Sequence, residues 1–123
     1  MEEILQQQSL FLTTRENQTH VKLPFIFEKE YDSLTIYFSY TPQIVPEDVA
    51  IIAIADALPY YDVASADATD FLPLINLITV SLSYEGNYLG CHHNKRIPQF
   101  ITIAETGSSL GFIPHKAQPG NWE

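Results

Sequence analysis

The sequence predicts a mostly-β domain: an antiparallel β-sandwich, immunoglobulin- or jelly-roll-like, with one short helix over about residues 46–58 inserted between strands. Three observations carry this. From Asn76 to Tyr84, Ile78, Val80, Leu82 and Tyr84 fall on one side of an extended segment and Thr79, Ser81 and Ser83 on the other. Leu34 to Tyr40 repeats the period, with Leu34, Ile36, Phe38 and Tyr40 inward and Thr35, Tyr37 and Ser39 outward. Only one segment reads as a helix, which disfavours a parallel strand–helix–strand order.

Taken in order, residues 1–8 form a loose lead-in, and 1–123 make one domain. Leu10, Phe11 and Leu12 suffice for a short strand over Ser9 to Thr14, followed by a polar turn at 15–19. His20 to Glu28 alternates Val21, Leu23, Phe25 and Phe27. Pro24 cannot donate to a ladder, so that strand belongs at an edge or carries a bulge. A charged connection, 28–33, leads to the Leu34 strand, which Thr41-Pro42 ends. Pro46, Glu47 and Asp48 suit a helix N-terminus, and Pro59 stops the helix near Leu58. Pro59 to Leu74 is a long loop. After the Asn76–Tyr84 strand, Glu85-Gly86-Asn87 turns the chain, and Tyr88 to Pro98 reads as polar and irregular. Gln99 to Ile103 is a strand with Ile101 and Ile103 opposite Phe100 and Thr102. Gln118-Pro119-Gly120-Asn121 is a turn that delivers Trp122 into a final strand.

Charge and composition exclude several classes. The net charge is −9, and it divides into −10 over residues 1–90 and +1 over 91–123. An acidic body disfavours nucleic acid and anionic membrane, whose binding needs clustered cations. No apolar run approaches the roughly 18–20 residues that span a bilayer. Met1-Glu2-Glu3 reverses the order of a secretory signal, and a single cysteine, Cys91, forms no internal disulfide. A cytoplasmic location is the expectation.

Candidate chemistry is sparse. Cys91, His92 and His93, with His115 further on, are types that ligate zinc, yet no Cys-x-x-Cys or His-x-x-x-His spacing supports a site, and a polar loop is the plainer reading. Cys91 as a nucleophile needs a base brought to it in space. Asp62, Asp67 and Asp70 lack the spacing that wraps a calcium ion, and read as a solvated acidic loop. Tyr60, Tyr61, Tyr88 and Trp122 could stack on a sugar, although aromatics in β proteins more often pack core or edge. Phosphate-loop, dinucleotide and nucleophile-elbow motifs are missing, so no catalytic residue, metal or cofactor is assigned.

Several segments carry a family resemblance. Phe71 to Leu82, Ile101-Thr102-Ile103-Ala104-Glu105, Gly111-Phe112-Ile113-Pro114 with Pro119-Gly120-Asn121-Trp122, and Leu34 to Pro42 resemble the strands and turns of a β-sandwich domain. That domain precedes the catalytic domain of CehA/McbA-type PHP metallohydrolases and also occurs as small bacterial proteins. The resemblance implies an accessory fold without the catalytic domain, and no catalytic residue carries over. Leu110 and His115-Lys116 depart from the family's Pro and Gly-Pro. The family continues after the tryptophan with a further strand, which the sequence as far as Glu123 lacks, so the resemblance implies an exposed edge that recruits another strand.

The expectation is therefore a non-catalytic accessory or interaction module that self-associates through a sheet edge or takes a protein partner. The alternative is a carbohydrate-type ligand site built from Tyr88, His92, His93, Arg96, His115 and Trp122. A metal-dependent hydrolase using the Cys/His loop is the weaker reading.

Overall fold

The structure is a computed structural model and describes residues 2–16, 19–60, 67–94 and 96–123. It is mostly β: strands β1 (Phe25–Phe27), β2 (Leu34–Phe38), β3 (Val80–Tyr84), β4 (Asn87–His92), β5 (Gln99–Ile103) and β6 (Gly120–Trp122), with one helix, α1 (Glu47–Ala57), between β2 and β3. Four strands form an antiparallel sheet in the order β1-β6-β3-β4, and β2 pairs with β5 in a second sheet. The chain divides into two compact units, one of Met1–Ile36, Val80–His92 and Phe100–Glu123, the other of Tyr37–Thr79 and His93–Gln99. No helix among the described residues is long and apolar enough to cross a membrane.

The first unit is organised by the β3–β4 hairpin. Glu85 (φ 49°) and Gly86 (φ 78°) both take positive φ, the conformation whose twist joins two antiparallel strands through a two-residue loop. Glycine supplies it freely, and Glu85 is held by Asn121, whose backbone N–H donates to its carboxylate at 2.9 Å. The register slips between Leu82 and Ser83, so Leu82 faces Gly90 while Ser83 faces Tyr88. That bulge breaks the alternation of β4 and buries Leu89 and Gly90 in succession. The segment read as irregular from Tyr88 is therefore a strand as far as His92.

Trp122 fixes the other side of β3. Its strand lies between β1 and β3, pairing with Phe25 on one side and Tyr84 on the other. Ser83 and Glu123 exchange both backbone hydrogen bonds, at 2.8 and 3.0 Å. The tail thus occupies the interior of the sheet. Phe27, Leu82, Leu89, Ile101, Ile103, Phe112 and Trp122 form the core, with Leu34, Ile36, Val80 and Tyr84 packed against it. Those inward positions match the period-two reading of β2, β3 and β5. Ahead of β1, Leu5 packs on this core, and the Glu3 carboxylate takes Lys29 Nζ at 3.2 Å and the Tyr31 hydroxyl at 3.0 Å.

Three sequence expectations shrink. No strand forms over Ser9 to Thr14; 14–16 is a turn of 3₁₀ helix. The strand read from His20 starts only at Phe25, because Pro24 withholds a donor. The strand read from Asn76 starts at Val80, because Asn76 is committed elsewhere: its backbone N–H goes to the Gln43 carbonyl and its side chain to the Pro42 carbonyl, both at 2.8 Å.

These bonds build the second unit. Segments 43–45 and 74–76 run antiparallel, with Ile44 bridged to Ile75 and Val45 N–H on the Leu74 carbonyl. Helix α1 follows Pro46, carries Glu47 and Asp48 in its first turn and ends ahead of Pro59. It buries Ala50 and Ile54, one turn apart on a single face. A 3₁₀ turn at Ala68–Phe71 packs on it, closed by a reciprocal cap in which Asp67 accepts from Thr69 N–H and Asp70 from Asp67 N–H.

Candidate functional site

Of the six residues proposed from sequence, Tyr88, His92, His115 and Trp122 lie in the first unit and His93 and Arg96 in the second. Strand β4 carries two of them. Tyr88 is 62% exposed, and its phenol is pushed up from its ordinary pKa first by a hydrogen bond to Cys91, then by burial and the Cys91 charge. His92 sits four residues on, about 13 Å along an extended strand. There its half-buried ring meets Phe112 edge-on at 5.3 Å.

His115 and Trp122 do come together, but in the core. Trp122 is 1% exposed and stacks on Phe25 and Phe27, with Tyr84 and His115 against its edges. Its indole N–H donates to the Gln118 carbonyl at 2.9 Å. At that exposure the ring offers no face to a sugar, and its polar tip is already used inside the protein. His115 lies 4.7 Å from the Tyr84 ring, and its Nδ1 is 2.7 Å from the Lys116 carbonyl oxygen. A carbonyl only accepts, so that nitrogen carries the proton.

His93 and Arg96 belong to the second unit. His93 Nδ1 and Thr79 Oγ1 are 2.6 Å apart. Arg96 donates its backbone N–H to Asn94 Oδ1 at 2.9 Å, and Gln99 Nε2 reaches the Asn94 carbonyl at 3.0 Å. The Arg96 side chain is exposed. Of the three loop carboxylates, Asp67 and Asp70 are spent on the cap of a 3₁₀ turn, whereas Asp62 and the neighbouring Tyr61 lie outside the described residues. Among the described residues, no group of three His, Cys, Asp or Glu side chains is placed to hold a metal ion.

Sequence reasoning did not bring together the residues of a groove that the first unit forms. It has a volume of about 440 Å³ and is lined by Glu30, Tyr31, Asp32, Glu105, Thr106, Lys116 and Ala117. The Tyr31–Ala117 bridge draws these distant segments together, and Lys116 Nζ lies 4.0 Å from Glu105. Only the charged run at 28–33 hinted at it, since the pairing with Ala117 has no sequence signal.

The strand edges are the other feature with chemical consequence, because an open edge presents unpaired N–H and C=O groups. The outer edge of β4 is covered where Phe112 bridges Gly90 and Ile113 N–H reaches the Leu89 carbonyl. Along β5, Thr102 exchanges bonds with Ser109, and the Ala104 carbonyl takes His115 N–H. Strand β1 is three residues long, preceded by Pro24 and followed by Glu28 and Lys29. Strand β2 differs: five residues, Leu-Thr-Ile-Tyr-Phe, with no charge, proline or glycine, and β5 as its one partner strand among the described residues. Compared with protein-family models, curated proteins and solved structures, the chain matches none.

Proposed function

We propose that this chain is a non-catalytic interaction module, a β-sandwich-type accessory domain of the kind its sequence resembles, which associates with a second copy by pairing along the outer edge of β2. The observation that supports this is the contrast between edges. β4 and β5 are covered by the chain itself, and β1 is blunted by Pro24 and by flanking charges. β2 has none of these devices and is rich in residues that favour strands. Two copies joined edge to edge about a two-fold axis satisfy the same backbone groups on both sides.

Light scattering of residues 1–123 over a range of concentrations tests this. A dimer that grows with concentration is expected, and Thr35→Lys, at an exposed position of β2, should return it to monomer by placing like charges on the shared edge. Circular dichroism of the variant should match the wild type, Thr35 being exposed. A monomer at every concentration, or a dimer indifferent to Thr35→Lys, overturns the reading.

A further inference from the structure

We infer that the outward face of α1 is a docking surface for a cationic amphipathic segment of another protein, an apolar stripe flanked by Lys or Arg laid along the helix. This surface lies wholly within the second unit and stands independently of the β2 edge.

Helix α1 is apolar on two faces. Ala50 and Ile54 bury one of them. The opposite face carries Val49, Ile52, Ala53 and Asp56 at the i, i+3, i+4, i+7 spacing of neighbours on one stripe. Val49 is 53% exposed and Ile52 65% exposed; Tyr60, 87% exposed, follows just past the helix end. A solvent-facing helix ordinarily puts charged or polar residues there, and a helix apolar on both sides is ordinarily covered on both. Isoleucine and valine are also weaker helix formers than the Lys, Glu or Gln that suit an exposed position, so local propensity gives no reason for them.

Charge selects the occupant. Residues 37–79 contain no Lys or Arg, whereas Glu47, Asp48 and Asp56 lie on α1, and Asp67 and Asp70 on the 3₁₀ turn packed against it. All five are exposed. A second copy of this chain would bring the same acidic set and be repelled, and nucleic acid or an anionic bilayer would be repelled likewise. A segment with apolar residues on one face and Lys or Arg beside them matches both the stripe and the two carboxylates that accompany it, Asp56 on the stripe and Asp48 one turn before Ile52, in the helix-in-groove manner.

The probe is a synthetic peptide of about 14 residues, built from Leu and Lys so that the leucines form one helical stripe. Two controls accompany it: the same peptide with Glu for Lys, and one with Ser for Leu that keeps the charge. Fluorescence anisotropy should show binding of the Leu/Lys peptide, weakened about tenfold by Ile52→Gln and by Val49→Gln, substitutions that remove apolar area without altering charge. Both side chains are exposed, so both variants should keep the wild-type melting temperature, and either one suffices as the test. Absence of binding, equal binding of the Ser/Lys peptide, or affinity unchanged in both variants overturns the proposal.

Discussion

Replacing Trp122 by alanine separates a core role from a ligand-stacking role. The indole is 1% exposed and in ring contact with Phe25, Phe27, Tyr84 and His115. Burying a side chain of about 250 Å² at about 25 cal/mol per Å² gives an upper bound near 6 kcal/mol. A compact denatured state lowers that figure, and measured Trp→Ala losses run at about 3–5 kcal/mol. The bond to the Gln118 carbonyl contributes about 1 kcal/mol within the same total. We expect a loss of about 4 kcal/mol, a large share of the roughly 5–15 kcal/mol that stabilises a domain. In urea the midpoint should fall with the slope unchanged, and the melting temperature should drop by about 12–20 °C. Trp122→Phe keeps most of the apolar volume and should lose about half as much, which preserves the test if the alanine variant fails to fold. A loss below about 1 kcal/mol for Trp122→Ala would refute the placement of the ring in the core.

Two further expectations concern the same unit. Gly90 has φ +149°, and an added Cβ would press into the Gly111 carbonyl oxygen and sit 2.7 Å from Phe112 Cα, so Gly90→Ala must open the Gly90–Phe112 bridge. The expected cost is about 2–4 kcal/mol, readable in urea unfolding; an unchanged midpoint would contradict the close approach of these two segments. Glu3 should titrate below the ordinary carboxylate range in a carboxyl NMR titration, since bonds from Lys29 and Tyr31 and then the Lys29 charge depress its pKa. A depressed carboxyl contributes above its unfolded pKa and is lost as pH falls through the lower folded value, so the Glu3–Lys29–Tyr31 contact should release in acid. Lys29, raised first by its hydrogen bond to Glu3, releases the same contact at the alkaline end, as pH passes its elevated pKa. Titration of Glu3 at the ordinary glutamate value would count against the contact.

What could be read from sequence was what obeys a local period. Leu34, Ile36, Val80, Leu82, Ile101 and Ile103 turn inward as alternation requires. The helix follows Pro46 and stops ahead of Pro59 for reasons confined to its own termini. Pro24 announced an edge, and β1 is at the edge of its sheet. What escaped depends on partners distant in the chain. β4 was hidden because the bulge at Leu82/Ser83 destroys its alternation, leaving Leu89, Gly90 and Cys91 without a visible face. Asn76 looked like a strand residue until its bonds to Pro42 and Gln43 were seen. The candidate site was least legible of all. Tyr88, His92, His93, Arg96, His115 and Trp122 were grouped by residue type, and type does not tell a buried tryptophan from an exposed one. The exposed α1 stripe was legible in the letters but not in its meaning, because an apolar helix is first read as a buried one.

The two proposed surfaces answer oppositely to salt, and that contrast separates them better than binding alone. Association of two copies brings together chains of net charge −9, so repulsion opposes the β2 pairing at low ionic strength. Adding salt shortens the screening length from about 30 Å at 0.01 M to about 8 Å at 0.15 M, which weakens that repulsion and should strengthen the dimer. A lysine-bearing peptide on α1 gains from the same acidic field, and the same salt should weaken it. The field is not uniform, since residues 91–123 carry +1 against −10 for residues 1–90, so only a contact on the acidic part of the chain should show the full loss. A peptide response that followed salt yet ignored Ile52→Gln would trace to that general field. A response that follows both requires the helix face itself.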